Sequence, residues 1–434
     1  MSFQPTPLKY NNDDKPGFGP MLMYGLQWFL ITIPTVLIIS AVAGDYQFVT
    51  EVGRTLYTQK LFALTGAGFI LQVLFGHKMP LVIGPASVLL IGVMTTETTR
   101  MDEVYTAILC GGALMLLISY SGWMKFLQQV FTVRIVIVIL ALIAFTLGPS
   151  IVNLMFSSPV HPFLAYCLGI ALIFFMLLLN RMLNGVWKSS VLLWGLLFGV
   201  ILFRWLVGDS AAASSPAVSA VQDAVAARES SIFLPEFSFD PGVLLSFLFC
   251  FIALFINELG SIQSVGATIR IDNMEKRTRK GLRFTGALNM LSGAVGVIGP
   301  VDYSLSPGVI MSTGCASRYT LIPAGIGLIV CGMFPGMISF LSAIPKPVMG
   351  VILLYVMTTQ LSSAFQMIVQ KPSLPDFNSC LIVAFPIMIA LVVSFMPSSV
   401  SAAMPALLRP LLGNGFVMGV ITVLLLEHVI FRKK

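Results

Sequence analysis

Gly84-Pro85-Ala86-Ser87 and Ser306-Pro307-Gly308 interrupt two apolar stretches, HKMPLVIGPASVLLIG (77–92) and GPVDYSLSPGVIMSTG (299–314). Proline lacks the N–H a helix needs and its ring crowds the preceding turn, so neither stretch runs as one helix. Backbone groups freed inside a membrane persist only when buried in protein or lining a cavity. A half-helix starting just after each break would aim its N-terminal N–H groups, with their partial positive charge, into that cavity. Ser87, Ser304, Ser306 and Ser312 add hydroxyls beside the breaks. The chemistry this favours is binding of a small polar molecule by backbone and hydroxyl groups. A single break reads as a proline kink, whereas a pair at corresponding places in two halves points to a carrier's substrate site.

Two further constellations lie in apolar surroundings. FINELGSIQSVGATI (255–269) places Asn257, Glu258, Ser261, Gln263 and Ser264 in one helix. Residues 257 and 261 share a face, and Glu258 lies about 100° round from Asn257. A carboxyl within a span is costly and suggests function; the alternative is that Glu258 nears the cytoplasm and pairs with Arg270. The matching stretch of the first half, GLQWFLITIPTVLI, carries Gln27 and Trp28 one turn in. A Gln amide both donates and accepts, and Trp offers a stacking face, which together could hold a flat heterocycle. Trp28 reads equally as an interfacial anchor.

The elements that must position these residues are membrane spans. The chain is 57% hydrophobic and 10% charged, with mean hydropathy +0.94, where soluble domains carry about 25% charged residues. With about 20 apolar residues per span, fourteen segments emerge: near 21–43, 59–76, 79–94, 104–122, 129–147, 162–180 and 188–207, then 241–260, 283–299, 303–316, 321–340, 346–365, 378–396 and 407–431. The third and tenth are the broken ones. A polar tail (1–20) precedes the first seven-span repeat (21–207), an Ala/Ser-rich extramembrane linker (208–240) follows it, and the second repeat covers 241–431. Seven is odd, so the halves run in opposite directions. The expected architecture is an all-α polytopic membrane protein built as an inverted repeat.

The net charge of +7 is no nucleic-acid signal. Its largest cluster, Arg270 to Arg283, reads as one short cytoplasmic loop; together with Lys9, Lys15, Lys78, Arg181, Arg318 and the terminal Arg432–Lys434 it places both termini in the cytoplasm. The six cysteines are scattered without metal spacing and read as packing residues. No Ser-His-Asp, zinc, GxGxxG or P-loop pattern occurs, so neither an enzyme nor a cofactor is expected.

GLQWFLITIPTVLI, MPLVIGPASVLLIG, NELGSIQSVGAT, SPGVIMSTGCASRY and the late LRPLLGNGFVMGVI resemble the nucleobase–ascorbate transporter family, also called nucleobase–cation symporter 2 (uracil/xanthine permeases). The resemblance covers essentially the whole chain. It implies fourteen spans, a core domain of spans 1–4 and 8–11 and a gate domain of spans 5–7 and 12–14. It also implies a homodimer in the inner membrane that takes up purines or pyrimidines with a coupling cation, a proton rather than sodium. Anchored on Gly308, the span-ten signature is matched at Thr313 and Gly314, but Leu305 and Ser306 stand where the family has a carboxylate or amide and an Asn. Anchored on Gly260, Asn257 takes the family's Glu position and Ser261 its Asp or His position, leaving Glu258 one place off. The expected substrate contacts are Gln27, Trp28, Asn257, Ser261 and the backbone around Pro85, Ala86, Ser87, Ser306, Pro307 and Gly308, with Glu258 as the proton-coupling carboxyl. The rival reading is an anion carrier of sulfate or bicarbonate type on the same seven-plus-seven fold. Against it, neither break carries Arg or Lys beside it.

Overall fold

A computed structural model describes residues 8–431 apart from 49, 97–99, 122–131, 158–160, 184–186, 188–189, 208–235, 304, 343, 371–375, 398, 401–402 and 406–407. Most of the linker and Ser304 therefore lie outside the described residues. The first half contains α1 (Phe18–Gln47), α2 (Glu51–Leu74), β1 (Ile83–Pro85), α3 (Ser87–Thr95), α4 (Met101–Tyr120), α5 (Val133–Thr146), α6 (Gly148–Met155), α7 (Pro162–Met182) and α8 (Val191–Val207). The second contains α9 (Pro241–Ile269), α10 (Met274–Val295), β2 (Pro300–Asp302), α11 (Ser306–Thr313), α12 (Leu321–Met333), α13 (Pro335–Ser342), α14 (Lys346–Gln370), α15 (Phe377–Ser394), α16 (Arg409–Leu412) and α17 (Gly415–Leu425). Among the described residues seven helices are long and apolar enough to cross a bilayer, and shorter apolar helices cover 191–207, 318–333 and 415–430.

Glycines set the tightest packing. A Cβ added at Gly66 of α2 would lie 2.5 Å from the Gly325 carbonyl oxygen of α12, and one at Gly325 would lie 2.7 Å from that of Gly66. On α4 and α10, Cβ atoms at Gly112 and Gly293 would each come within 2.5 Å of facing backbone nitrogens. Small residues that let membrane helices touch backbone to backbone replace the hydrophobic drive that lipid cannot supply. Spans 2 and 11 pack together, and so do spans 9 and 4, which an inverted repeat makes equivalent. The two halves thus hold each other by the same contact made twice.

Each break is a short strand followed by a half-helix. β1 and β2 pair antiparallel, with Ile83 opposite Asp302, Gly84 opposite Val301 and Pro85 opposite Pro300. This ribbon adds to the all-α expectation. Its strands satisfy across the molecule the backbone groups that proline frees within each segment. α3 and α11 start from its two ends.

The basic cluster is not a loop. Arg270 caps α9 with φ 51°, but Lys276, Arg277, Arg279, Lys280 and Arg283 occupy the first turns of α10. A helix running past the membrane face tolerates them because they find local partners. Arg279 pairs with Glu275 one turn back at 3.0 Å, and the Arg283 guanidinium lies 3.9 Å from the centre of the Tyr120 ring. α9 is correspondingly longer than the expected 241–260 segment.

Candidate substrate site

A cavity of about 360 Å³ opens between the ends of the ribbon and the facing helices. This is within the range of small-molecule sites, about 300–1,000 Å³. One wall comes from α1 (Ile31, Thr35, Ile38, Ile39), Ser87 at the start of α3, Asn257 of α9, Tyr303, and Leu305, Gly308 and Val309 around the start of α11. The other comes from Asn180 of α7, Val191 and Leu192 of α8, and Leu353, Tyr355, Val356, Met357, Thr359 and Gln360 of α14. Among the described residues no charged side chain lines it. The polar groups are amides, hydroxyls and the N-terminal backbone of α3 and α11.

Local sequence explains this placement. Gly308 has open space where a Cβ would stand, so the first turn of α11 is bare toward the cavity. Tyr303 follows β2, and its backbone N–H continues the ribbon to the Val82 carbonyl at 2.7 Å. Its hydroxyl donates to the Pro85 carbonyl at 2.8 Å, which fixes the ring against the opposite break. A Cβ at Gly84 would lie 2.6 Å from that hydroxyl oxygen, so glycine is required for the ring to sit there.

Ser87, Asn257 and Gly308 line the cavity, whereas the other sequence-expected contacts do not. Trp28 is buried and donates from Nε1 to the Thr320 hydroxyl at 3.0 Å, tying α1 to the turn before α12. Gln27 is likewise buried away from the cavity. Ala86 is enclosed, with its N–H bonded to the Gly299 carbonyl at 2.9 Å. Pro85 contributes its carbonyl to Tyr303. Ser306 accepts from the Val82 N–H at 2.9 Å, and Ser261 donates to the Asp302 carbonyl at 2.8 Å; both brace the ribbon. Pro307 starts α11 beside Gly308 but is not among the lining residues. Glu258 is fully buried and faces α10, not the cavity.

For Trp28, Ser261 and Ser306 the physical reason is the partner each side chain finds far along the chain. Thr320 is 292 residues from Trp28, beyond any local pattern. Trp28→Phe is therefore expected to leave substrate KM within about twofold while lowering the melting temperature, since a lost buried hydrogen bond costs about 1 kcal/mol. Uptake kinetics and a thermal melt check it; a large rise in KM with an unchanged melt would return Trp28 to the site.

A family model described as a permease family matches residues 19–399. The chain belongs to this family. The match supports the resemblance to nucleobase–ascorbate transporters, and the permease is a multi-pass membrane protein. It is 23% identical over 431 residues to a putative purine permease of Clostridium perfringens, covering 98% of this chain and 93% of that one. To a xanthine permease of Bacillus subtilis it is 24% identical over 427 residues, covering 95% and 94%. Among solved structures, the transmembrane domain of a cyanobacterial bicarbonate transporter, BicA, superposes with TM-score 0.59 at 14% identity, covering 88% of this chain and 98% of that one. The murine anion transporter Slc26a9 in its inward-facing state gives TM-score 0.60 at 13% identity, covering 96% and 69%. At these identities the superpositions speak to fold alone, and the permease shares their seven-plus-seven architecture.

Sequence reasoning missed Tyr303, Thr35, Asn180, Tyr355 and Gln360 in the permease's cavity. Tyr303 carried a usable signal, an aromatic residue directly before the second half-helix. Asn180 carried only a weak one, an amide near the end of an apolar helix, and Gln360 a weaker one, lying among Thr358, Thr359 and Ser362 in α14.

Proposed function

We propose that this permease carries a purine or pyrimidine base such as xanthine, urate or uracil, unchanged, by proton symport. The observation that carries the reading is the cavity's lining: amides and hydroxyls beside an aromatic ring, with no charged side chain among the described residues. A nucleobase is a flat heterocycle whose edge alternates donors and acceptors. Asn257 can meet both kinds of group, the Tyr303 ring offers a stacking face, and Ser87 and the bare turn at Gly308 offer donors from the half-helix starts. The relatives named as purine and xanthine permeases support the same substrate class.

Spans 1–4 and 8–11 form the core and spans 5–7 and 12–14 the gate in this reading. The cavity lies between the two groups, so sliding one past the other would expose it to either side in turn. Glu258, the carboxyl expected from the sequence to couple the proton, contributes to that coupling as one of a buried carboxyl pair with Asp302 in this reading. The permease would work as a homodimer in the inner membrane with both termini cytoplasmic.

Competition uptake tests the substrate class. Cells producing the permease should take up radiolabelled xanthine, and unlabelled purines or uracil should compete while sulfate, bicarbonate and oxalate should not. Inhibition by the anions with none by the bases would overturn the reading in favour of an anion carrier.

A further inference from the structure

Behind the cavity lies a ring of buried polar groups, closed through the backbone of His77 and of Asp302, that substrate contact does not use. His77, Asp302, Glu258 and Thr285 have no exposure and Gln72 has 1%. The His77 backbone N–H donates to Gln72 Oε1 at 3.3 Å, and Gln72 Nε2 donates to the Thr285 hydroxyl oxygen at 2.7 Å. That hydroxyl donates to Glu258 Oε1, and Glu258 Oε2 accepts from the Asp302 backbone N–H at 2.7 Å. Asp302 Oδ2 lies 3.4 Å from His77 Nε2, which closes the ring.

The hydrogens of this ring can be assigned. The Met79 N–H donates to His77 Nδ1 at 3.0 Å, so a neutral imidazole carries its proton on Nε2, facing Asp302. Thr285 already accepts from Gln72, so its proton goes to Glu258. Both Glu258 oxygens are thus engaged as acceptors. The Asp302 and Glu258 carboxyls lie within hydrogen-bond reach of each other; Asp302 takes no other side-chain hydrogen bond from the described residues, and His77 Nε2 makes none within ordinary distance. From α10, Arg277 is the charged group facing His77, and its guanidinium bonds the His77 and Lys78 carbonyls at 3.1 and 2.9 Å instead of either carboxyl. Two adjacent buried carboxyls with no cation bound to them retain a proton between them. The proton lies between the two carboxyls, and Asp302, whose oxygens take no other side-chain hydrogen bond from the described residues, has the more acceptor sites left to hold it.

The ring and the cavity share two pairs of consecutive residues. Asn257 lines the cavity and Glu258 joins the ring; Tyr303 lines the cavity and Asp302 joins the ring. Ser261 also ties α9 to Asp302 through its carbonyl. Movement of Asn257 or Tyr303 on substrate therefore displaces a carboxyl on the other face.

Resting on the symport reading above, we infer that Asp302 carries the coupled proton, with His77 and Glu258 as the positioning residues that hold it. The step is a reversible proton addition to an Asp302 carboxylate oxygen, with release from the same atom on the other side of the membrane. Linkage makes the effect reciprocal: the proton tightens substrate binding by the factor with which substrate tightens proton binding.

The test uses the full-length permease in proteoliposomes with radiolabelled xanthine. Wild type should show counterflow, accumulate xanthine under an inward proton gradient, and take up about one proton per xanthine bound, as a pH indicator reads it. Asp302→Asn should keep counterflow within about threefold yet lose both gradient-driven accumulation and proton uptake. His77→Gln, which removes the facing imidazole without touching either carboxyl, should shift the pH of half-maximal uptake and serves if Asp302→Asn does not fold. Wild-type protein without xanthine counterflow overturns the nucleobase reading. Counterflow in wild type with full accumulation in Asp302→Asn, an unmoved pH profile in His77→Gln, or accumulation that follows sodium and ignores pH overturns this proposal alone.

Discussion

Gly308→Val is expected to reduce xanthine binding at least about tenfold, which corresponds to about 1.4 kcal/mol or more, while expression and the size-exclusion profile stay as in wild type. An added Cβ at Gly308 meets no atom within 4 Å, so the valine costs the empty fold little. Its methyl groups instead occupy the cavity at the first turn of α11, where a substrate would approach the backbone most closely. Ala86→Leu makes the contrast. Ala86 is fully enclosed behind the ribbon, and overpacking such a site costs about 1–3 kcal/mol. That variant should lose expression or monodispersity, not affinity alone. Equilibrium binding by scintillation proximity, with size-exclusion as the control, separates the two effects. Full affinity in Gly308→Val would mean that α11 does not face the substrate, and the site would have to be sought elsewhere.

What was legible in the sequence follows from what is local. Gly84-Pro85 and Pro307-Gly308 announce their breaks because proline and glycine act on the backbone within a turn. The glycine at Gly260 set the register of α9 well enough to separate Asn257 from Glu258. The ribbon was not legible. Its strands are three residues each, too short for a period-two pattern, and they pair across more than 200 residues of chain. Trp28 and Ser261 misled for a related reason: polar side chains in an apolar helix are equally suited to a ligand and to a distant partner, and Thr320 and the Asp302 carbonyl took them. The charges of α10 resembled a loop because hydropathy marks where lipid ends, not where a helix ends. The Asn180 and Gln360 wall could be placed only by the packing of α7, α8 and α14 against the rest, which no single segment encodes.

The register of α9 decides the second large effect. Asn257→Ala should weaken xanthine binding at least about tenfold, since an unmatched buried polar group on the substrate costs about 1–3 kcal/mol. It should leave the melting temperature nearly unchanged, because Asn257 faces the cavity and braces nothing among the described residues. Glu258→Gln should leave binding intact and act on coupling instead. The new amide oxygen can take the Asp302 N–H, and the new NH₂ can donate to the Thr285 hydroxyl, whose own proton then turns away. Fold and binding survive within about threefold, but a carboxyl is gone from the ring, so proton-driven accumulation falls while counterflow continues. Measuring Kd and gradient-driven uptake in both variants gives opposite patterns if the two consecutive residues serve opposite faces of one helix. A silent Asn257→Ala beside a binding loss in Glu258→Gln would place the register one residue off and put the carboxyl, not the amide, against the substrate.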